Sequence, residues 1–338
     1  MESVFVALSG GADSGFAAFL LKQMGYHVTA VTFRLFDGEG ACCSLEGIRR
    51  ARRIADILSI RHLTLDIREE FRSYVIETFL REYEKGRTPN PCVLCNRYIK
   101  FSLFLKKAKA LGADKIATGH YARVEKEKDK YLLKRGIDRK KDQSYFLYPI
   151  RREHLPFILF PLGTHLKEGV RSEFRKVFGE APRESQDLCF VPKGDLRGFL
   201  ARSLGDREGP IYLFDGRLLG YHRGIHYYTI GQRRGMGLSF PYPLYVIGIS
   251  SEDNAIFLGP KEYLERTRVY AAEVNLLSAP QREVTGKIRY NQREEPCEYA
   301  LERNLLSVRF ERPVSGVAGG QSLVLYSGDV VIGGGTIL

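Results

Sequence analysis

Apolar and polar positions follow one pattern in the first part of the chain and a different one in the last part. Up to about residue 204, short apolar runs alternate with amphipathic stretches of helical period, which predicts an α/β domain with a mainly parallel sheet. The predicted strands cover 3–8, 27–33, 62–67, 115–118 and 187–191. The predicted helices cover 14–24, 44–58, 69–84, 97–111, 153–160 and 167–178, and residues 124–133 predict a charged hairpin added to this core.

The pattern changes beyond about residue 205, where short β-like runs are separated by glycine and proline. We predict a small central β-rich domain over 205–265, which links the α/β domain of 1–204 to a C-terminal antiparallel β-barrel over 266–338. No apolar run approaches the roughly 20 residues of a membrane span. The opening residues, MESVFVALSGG, predict a strand before a glycine loop, since a secretory signal would need a basic start. We therefore expect a cytoplasmic protein.

Charge and cysteine content narrow the partners and the chemistry. The chain carries 52 Lys and Arg against 40 Asp and Glu, so its net charge is +12 and its pI is near 9.4. This excess favours a polyanionic partner, most commonly nucleic acid, although a generally basic surface would give the same count. The cysteines, at 42, 43, 92, 95, 189 and 297, are too sparse for a disulfide scaffold. Their uneven spacing favours a chemical role for some of them.

The stretch VALSGGADSG is the most informative motif. A strand ends at Leu8, two glycines let the backbone turn close to a ligand, and a helix begins near Asp13 and Ser14. Backbone N–H groups at that helix start, together with the hydroxyls of Ser9 and Ser14, form an anion site. The motif lacks both the GK[ST] of a Walker A loop and the GxGxxG of a dinucleotide site. The order S-G-G-x-D-S is typical of the PP-loop, which holds pyrophosphate in enzymes that split ATP between the α and β phosphates. Asp13 would then help to position Mg²⁺.

A second motif, TPNPCVLCNRYIKF, places Cys92 and Cys95 three positions apart in a proline-broken loop before an apolar helix. Such a pair can bind zinc, cycle between dithiol and disulfide, hold an iron–sulfur cluster or carry a nucleophilic sulfur. Ligands of open α/β sheets bind beyond the carboxyl ends of the strands. We therefore expect the glycine loop, the loop with Cys42 and Cys43, the GHYAR loop and the Cys189 segment to converge there. The CxxC lies between two predicted helices and could reach the same crevice.

The ordered set of motifs carries a family resemblance. The chain contains SGGADS, ACCSLE, RTPNPCVLCNRYIKF, ATGHYAR, KDQSYFL, ESQDLCFV, YTIGQRRG and a closing GGQ…GDVVIGGG, in the order found in bacterial tRNA-specific 2-thiouridylases, which it resembles from end to end. The resemblance implies ATP-driven transfer of sulfur to C2 of the wobble uridine, position 34 in the tRNA, for a subset of tRNAs. The C2 oxygen would first be adenylated, because it is a poor leaving group until it becomes part of AMP. The wobble base would also have to leave its stack.

The resemblance implies roles for single residues. The ATP site would comprise Ala7, Leu8, Ser9, Gly10, Gly11, Ala12, Asp13, Ser14, Phe33 and Gly119. The tRNA would contact Asn90, Pro91 and Cys92 at the target base, His120, Lys141, Asp142 and Gln143 beside it, and Arg289, Tyr290 and Gln321 of the barrel near the anticodon stem-loop. Catalysis would depend on Asp13 and three cysteines, with Cys95 as the nucleophile, Cys189 as the persulfide carrier and Cys92 beside them.

Some of these residues also have ordinary structural interpretations. Phe33, an aromatic at a strand end, is more often a core residue. His120 would serve equally well as a capped loop histidine, and Lys141 as a solvated charge in a basic stretch. We interpret Cys297 as structural, and we expect the two cysteines of ACCSLE to serve in packing or capping.

One position departs from the family, because Cys92 stands where many members have aspartate. A carboxylate therefore cannot act there as a general acid or base, and the extra thiol lets Cys92, Cys95 and Cys189 hold a [4Fe–4S] cluster with one open iron for hydrosulfide. The competing scheme is a persulfide on Cys189 followed by a Cys95–Cys189 disulfide. The sulfur would come from a donor such as a cysteine desulfurase or a persulfide relay protein. From the sequence we favour the cluster; structural zinc ranks lower, since it normally needs four ligands.

Two other functions fit part of the pattern. A carbon–nitrogen ligase uses the same loop to adenylate a substrate for attack by ammonia, and it predicts a glutaminase module or an ammonia channel. A non-catalytic RNA-binding protein fits the charge but leaves Asp13, Ser14 and the cysteines at 92, 95 and 189 unexplained.

Overall fold

The computed structural model describes residues 1–36, 45–180, 188–280 and 282–338. Strands and helices alternate in its first part, as the sequence predicts. The strands are β1 (Ser3–Ala7), β2 (His27–Arg34), β3 (Arg61–Asp66), β4 (Lys115–Ala117), β5 (Ala122–Glu127), β6 (Lys130–Arg135) and β7 (Ile158–Leu159). The α-helices are α1 (Ala12–Gln23), α2 (Leu45–Ile57), α3 (Arg68–Phe71), α4 (Glu77–Glu84), α5 (Pro91–Leu94), α6 (Phe104–Ala110), α7 (Lys167–Phe178) and α8 (Leu196–Leu204). Two π-helical segments, Arg72–Ile76 and Cys95–Leu103, join α3 to α4 and α5 to α6, and short 3₁₀ helices cover Ser144–Phe146, Arg152–Phe157 and Pro161–Thr164. No helix within these ranges is long and apolar enough to cross a membrane.

β1 lies in the middle of a five-stranded parallel sheet of order β3-β2-β1-β4-β7. Its side chains alternate between the two faces of the sheet. Val4 and Val6 pack with α1, α2 and α7, whereas Phe5 packs with the helix that carries Cys95. Because both faces are covered, the strand is a continuous apolar run instead of an alternating one.

Three predicted elements differ from the structure. Residues 188–191 form a turn, and the fifth strand is instead Ile158–Leu159, inside the predicted helix 153–160. Pro156 explains the difference, because proline does not continue an α-helix, and Arg152–Phe157 form a 3₁₀ helix. The helix predicted from residue 97 begins earlier, at Pro91, because Asn90 caps it and proline suits the first helical position.

The last part of the chain is β-structure. A central sheet of order β10-β11-β8-β9 contains β8 (Gly209–Leu213), β9 (Leu218–His222), β10 (Tyr245–Ser250) and β11 (Ala255–Gly259), with 3₁₀ helices at Ile225–Tyr227 and Lys261–Leu264. The strands that follow are β12 (Glu265–Leu276), β13 (Thr285–Lys287), β14 (Glu295–Glu302), β15 (Leu305–Ser315), β16 (Ser322–Ser327) and β17 (Val330–Ile337). These six close into an antiparallel barrel, because β12 pairs with β15 on one side and with β17 on the other. The predicted fold class is confirmed, whereas the domain boundaries after 204 and 265 stay a prediction.

The predicted hairpin forms as β5 and β6, but it extends the barrel and not the parallel sheet. β6 pairs with β17 through Lys134 and Val330. The guanidinium of Arg123 also contacts the carboxylate of Asp329, in the turn before β17, at 2.8 Å. The hairpin therefore binds the first part of the chain to the barrel.

A buried ion pair lies where this hairpin ends. The charged groups of Arg135 and Asp142 are 3.9 Å apart, and less than a tenth of either side chain is exposed. Arg135 also lies over the ring of Tyr326, at 3.6 Å, and pairs with Glu294. Asp142 accepts three hydrogen bonds of 2.9–3.1 Å, two of them from Ser144. Asp142, which the resemblance implies as a tRNA contact, therefore has a structural role in the interior.

We expect Asp142→Ala to lower the free energy of unfolding by about 3 kcal/mol, because it leaves three buried donors without their acceptor and removes a carboxylate from Arg135. Asp129→Ala, in the exposed turn of the same hairpin, is the matched control and should change stability by less than about 0.5 kcal/mol. Urea denaturation of both variants measures the difference. Equal stabilities of the two variants would contradict the structural role of Asp142.

Candidate active site

The glycine loop after β1 forms an anion-binding surface. Gly10 has a φ of +76°, and a Cβ there would lie 2.5 Å from the carbonyl oxygen of Gly47 in α2, so only glycine fits. The hydroxyl oxygens of Ser9 and Ser14 are 3.1 Å apart, which ties the start of the loop to the start of the helix. The first N–H groups of α1, from Ala12 onward, have no carbonyl partner within the helix and are available to an anion.

Gly119 lies directly against this helix start. A Cβ at Gly119 would lie 2.9 Å from the carbonyl carbon of Asp13 and 2.9 Å from the amide nitrogen of Ser14. The GHYAR loop follows β4, which is the neighbour of β1 in the sheet, so both loops leave the same edge. The predicted convergence of these two loops is therefore seen in the structure.

Two side chains that sequence reasoning missed hold the carboxylate of Asp13. The ammonium of Lys167 lies 2.7 Å from Oδ1 and 2.6 Å from Oδ2, and the hydroxyl of Tyr121 donates to Oδ1 at 2.9 Å. The side chain of Lys167 is 10% exposed, whereas that of Asp13 is 34% exposed. The two charges therefore form an ion pair beside the glycine loop that is open on the side of the carboxylate.

Side chains outside the Asp13–Lys167 ion pair fix the backbone of Lys167 and of Tyr121. Lys167 is the first residue of α7, and its backbone N–H donates to the carboxylate of Asp138 at 3.0 Å. The backbone N–H of Tyr121 donates to Oε1 of Gln143 at 3.0 Å. Gln143, implied as a tRNA contact, thus supports the Asp13 site. A lysine at the first helical position is unfavourable for the helix dipole, and that placement is the sequence signal that could have identified Lys167.

His120 packs between two aromatic rings next to this loop. Its ring centroid lies 5.8 Å from that of Phe101 and 5.9 Å from that of Phe160, and Nδ1 lies 2.7 Å from the hydroxyl of Thr118. Burial, and then the positive charge of Lys100, hold the pKa of His120 well below its ordinary value. The imidazole is therefore neutral at neutral pH. Because Phe101 belongs to the helix that carries the cysteines, His120 lies between the glycine loop and that helix.

The apolar residues assigned to the ATP site are mainly core residues. Phe33 is 9% exposed, and its ring centroid lies 5.0 Å from that of Phe104. Leu8 is fully covered, and its N–H donates to the carbonyl of Val31 at 2.8 Å. The structural interpretation of Phe33 is therefore correct, and its contact with adenine stays a prediction.

Cys92 and Cys95 lie in the first turns of a helix and not in a loop. The side chain of Asn90 accepts a hydrogen bond from the N–H of Cys92 at 3.2 Å, and Pro91 takes the first helical position. From Cys95 the helix continues in π-helical form, a winding that is frequent at functional sites. Cys92 is exposed, whereas Cys95 is 8% exposed within the main apolar cluster.

Cys189 lies in a turn that packs against the same apolar cluster as Cys95. The next residue, Phe190, has its ring centroid 5.9 Å from that of Phe71 and 5.3 Å from that of Phe79, which fixes the turn. Cys189 itself is half-buried. The two thiols that the resemblance assigns to sulfur transfer therefore border one cluster.

The thiols do not form a metal site in the part of the chain that the structure describes. Within that part, no three His, Cys, Asp or Glu side chains are arranged so that they could hold a metal ion. A [4Fe–4S] cluster with three protein ligands needs three converging thiolates. In such a cluster each thiolate binds a different iron, so the result for a single ion does not test the cluster favoured from the sequence, which stays a prediction. Cys42 and Cys43 lie outside the described residues.

Two of the barrel residues implied as tRNA contacts connect different parts of the protein. Arg289 Nη2 donates to the carbonyl of Ile230, in the central region, at 2.8 Å and to that of Gly316 at 2.7 Å. Gln321 Nε2 donates to the carbonyl of Thr88, just before the cysteine helix, at 2.7 Å. Both side chains therefore have a role within the protein, whatever they contact in RNA.

The remaining candidates are distributed over the surface and the barrel. The ring centroid of Tyr290 lies 4.6 Å from that of Phe146 in the KDQSYFL segment, and burial raises the pKa of Tyr290. Lys141 is half-exposed. Burial raises the pKa of Cys297, in the barrel core, to about 12, so its thiolate is scarce at neutral pH, in keeping with a structural role.

Comparison with known proteins agrees with the motifs. Three family models match in succession: the tRNA methyl transferase HUP domain over 2–193, the tRNA methyl transferase PRC-barrel domain over 197–260 and the aminomethyltransferase beta-barrel domain over 266–337. The chain is 44% identical to the tRNA-specific 2-thiouridylase MnmA 1 of Caldanaerobacter subterraneus, over 99% of this chain and 97% of that relative. It is 44% identical to tRNA-specific 2-thiouridylase MnmA of Halothermothrix orenii, over 100% and 99%, and 41% identical to that of Clostridioides difficile, over 99% and 98%. The predicted resemblance is confirmed, and the chain belongs to the tRNA-specific 2-thiouridylase family.

Proposed function

We propose that the protein is a tRNA-uridine 2-sulfurtransferase that uses ATP to convert wobble uridine 34 into 2-thiouridine. The observation that carries the proposal is the Asp13–Lys167 ion pair beside the first N–H groups of α1, which have no partner within the helix, in a chain whose relatives are named 2-thiouridylases. An anion site with a fixed cation and a fixed carboxylate is what binding of a nucleoside triphosphate requires.

The first step would adenylate the base at the glycine loop. The C2 oxygen of the uridine attacks the α-phosphorus of ATP, the bond from that phosphorus to the bridging oxygen breaks, and pyrophosphate leaves. Negative charge then grows on the pyrophosphate. The N–H groups of α1 and the ammonium of Lys167 stabilise that charge, because both are already oriented before ATP binds.

Mg²⁺ suits the same site. Proteins usually bind Mg²⁺ through one or two carboxylates, with phosphate oxygens and water completing the shell. The partly exposed carboxylate of Asp13 would hold the ion, and Tyr121 and Lys167 would keep that carboxylate oriented. When bound, Mg²⁺ would neutralise part of the negative charge of the phosphates.

The second step would use the thiols. The terminal sulfur of a persulfide on Cys189 attacks C2, the bond between C2 and its oxygen breaks, and AMP leaves with that oxygen. The thiolate of Cys95 then attacks Sγ of Cys189, so that the transferred sulfur stays on the uridine and the two cysteines form a disulfide. A thiol reductant restores the pair. A sulfur donor, such as a cysteine desulfurase or a persulfide relay protein, recharges Cys189.

We prefer this route to the [4Fe–4S] route because Cys95 and Cys189 border the same apolar cluster, whereas Cys92 is exposed. Exposed Cys92 would then lie beside the flipped uridine with Asn90 and Pro91.

The substrate class and the compartment follow from the same proposal. A net charge of +12 supports binding of a polyanion the size of a tRNA. The anticodon stem-loop would lie across the cysteine helix and the barrel, which meet at Thr88 and Gln321. The cytoplasm, where tRNA is modified in bacteria, is the proposed compartment.

The overall activity is tested by incubating the protein with ATP, Mg²⁺, unmodified tRNA, a thiol reductant, and cysteine with a cysteine desulfurase as the persulfide donor, followed by mass spectrometry of the wobble nucleoside. We expect one sulfur in place of one oxygen. Asp13→Asn should reduce pyrophosphate release at least about 100-fold with little change in tRNA affinity, because it removes the carboxylate that orients Lys167. A well-folded parent protein that leaves the nucleoside unchanged would refute the function, and full pyrophosphate release by Asp13→Asn would refute the loop assignment alone.

Lys167→Met should lower kcat/KM for ATP by about 10²- to 10³-fold, because it removes a fixed charge from the departing pyrophosphate. Lys176→Met is the matched control, since Lys176 lies on the same helix with its charge in an exposed pair with Glu173. This control should stay within about twofold of the parent protein. Initial rates of pyrophosphate release measure both variants, and equal rates would remove Lys167 from the reaction.

The two sulfur routes predict different effects of Cys92→Asp, which restores the residue found in many members of the family. The persulfide route predicts that this variant keeps activity within about fivefold, whereas Cys95→Ser and Cys189→Ser lose at least about 10³-fold. Protein purified without oxygen should be colourless and free of iron, yet active. Iron in proportion to activity, lost together with it in Cys92→Asp, would establish the cluster route instead.

A further inference from the structure

Three parts of the molecule meet at Thr88, two positions before Asn90. The N–H of Thr88 donates to the carbonyl of Gly319 at 2.8 Å, and its own carbonyl accepts from Nε2 of Gln321 at 2.7 Å. Its hydroxyl lies 3.1 Å from that of Thr229, in the YTIGQRRG segment. The barrel and the central region therefore fix the backbone that leads into the cysteine helix.

The GGQ turn that makes these contacts is rigidly attached to the end of the barrel. The N–H of Gly320 donates to the carbonyl of Ile337 at 2.9 Å, and the N–H of Ile337 donates to the carbonyl of Gln321 at 2.8 Å. Gly320 has a φ of +87°, and a Cβ there would lie 3.1 Å from the carbonyl carbon of Thr88. A side chain would therefore push the two segments apart, which accounts for glycine before Gln321.

A second connection from the barrel acts one residue earlier. Arg87 Nη2 donates to the carbonyl of Ile337 at 2.8 Å, and Arg87 Nε lies 3.0 Å from the carboxylate of Glu82 in α4. The end of α4, the barrel and the start of the cysteine segment are thus held by adjoining contacts.

The chain between Thr88 and the thiols is too stiff to absorb a displacement of Thr88. Pro89 and Pro91 each fix one φ angle, and the cap from Asn90 to the N–H of Cys92 follows at once. A shift of Thr88 is therefore passed to the helix that carries both thiols.

We propose that Gln321 is a positioning residue for sulfur transfer, which acts by holding Thr88 so that Asn90, Pro91 and Cys92 are correctly placed for the target base. The inference rests on the proposed function. It differs from the tRNA contact implied by the resemblance, because the amide group of Gln321 donates to the protein backbone. The barrel then sets the geometry of the thiol site by holding the segment that leads into the cysteine helix.

Gln321→Met tests this role, since methionine has a similar length and no donor. At saturating ATP, we expect kcat for 2-thiouridine formation to fall about tenfold or more, because small misplacements of reacting groups have large effects on rate. The Kd for tRNA should change less than about threefold, as expected when no contact with RNA is lost. Gln292→Met is the matched control, because Gln292 Nε2 donates to the carbonyl of Ser315 at 2.9 Å wholly within the barrel. It should leave kcat unchanged.

Cysteine alkylation reports the position of the helix without any catalysis. In the absence of ATP and tRNA, Gln321→Met should speed alkylation of Cys95 about fivefold, as expected for the loss of one hydrogen bond that keeps the helix closed. Cys297 is an internal reference, because it is buried in the barrel and should stay slow as long as the barrel is folded. Peptide mass spectrometry measures both rates in the parent protein, Gln321→Met and Gln292→Met.

A normal kcat with parent-like alkylation of Cys95 would overturn the inference. A weaker Kd for tRNA with unchanged kcat and alkylation would also overturn it, and would identify Gln321 as an RNA contact. Equal acceleration at Cys95 and Cys297 would reject specific positioning in favour of general loss of barrel stability. If the parent protein does not thiolate tRNA, the proposed function fails, but the alkylation rates still show whether Gln321 holds the helix.

Discussion

The backbone N–H groups left without carbonyl partners at the start of α1 are the constraint on which the other features of the site depend. They lie at the carboxyl edge of the parallel sheet. There Gly10 lies closer to α2, and Gly119 closer to the start of α1, than a residue with a side chain could. Such a site attracts anions but does not select among them. In the proposed function, the fixed carboxylate of Asp13 and the fixed cation of Lys167 provide the selection for a triphosphate.

Sulfur transfer sets a second constraint, because two separately positioned groups must act on one base. The cysteine helix is placed by packing against the sheet on one side and by Thr88 on the other. His120 follows the glycine loop's neighbour β4 and contacts Phe101 of the cysteine helix, so it lies between the glycine loop and the thiols. The barrel therefore contributes to the site even though none of its residues is assigned to the chemistry. Because the contacts at Thr88 come from distant parts of the chain, the complete fold is needed to place the thiols.

Local signals predicted most of the fold, and distant contacts account for most of what they missed. The glycine loop and the closed barrel follow from residues that are adjacent in sequence or in a regular strand pattern. Lys167 meets Asp13 across 154 positions. Its unfavourable place at the start of a helix could have marked Lys167, but no local pattern identifies Asp13 as its partner. The strand Ile158–Leu159 is too short to show a period. Asp142 stands in a charged stretch that looks solvated, yet its partner Arg135 is buried with it.

For the cysteines, too, the sequence gives the local structure but not the distances between side chains that are far apart in the chain. Asn90 and Pro91 are a recognisable helix start, so the position of the CxxC on a helix was available from the sequence and was missed. Whether three thiols converge is not encoded in their spacing, because it depends on how the turn at Cys189 packs. That is why the cluster favoured from the sequence stays a prediction.

In the proposed reaction, ATP activates the C2 oxygen of the uridine, and this oxygen departs with AMP. Transfer RNA that carries ¹⁸O at C2 of uridine 34 tests it directly, with mass spectrometry of the AMP formed in a single turnover. We expect the AMP to contain the ¹⁸O and the uridine to gain sulfur in equal amount. AMP with oxygen from water only, while 2-thiouridine still forms, would contradict it.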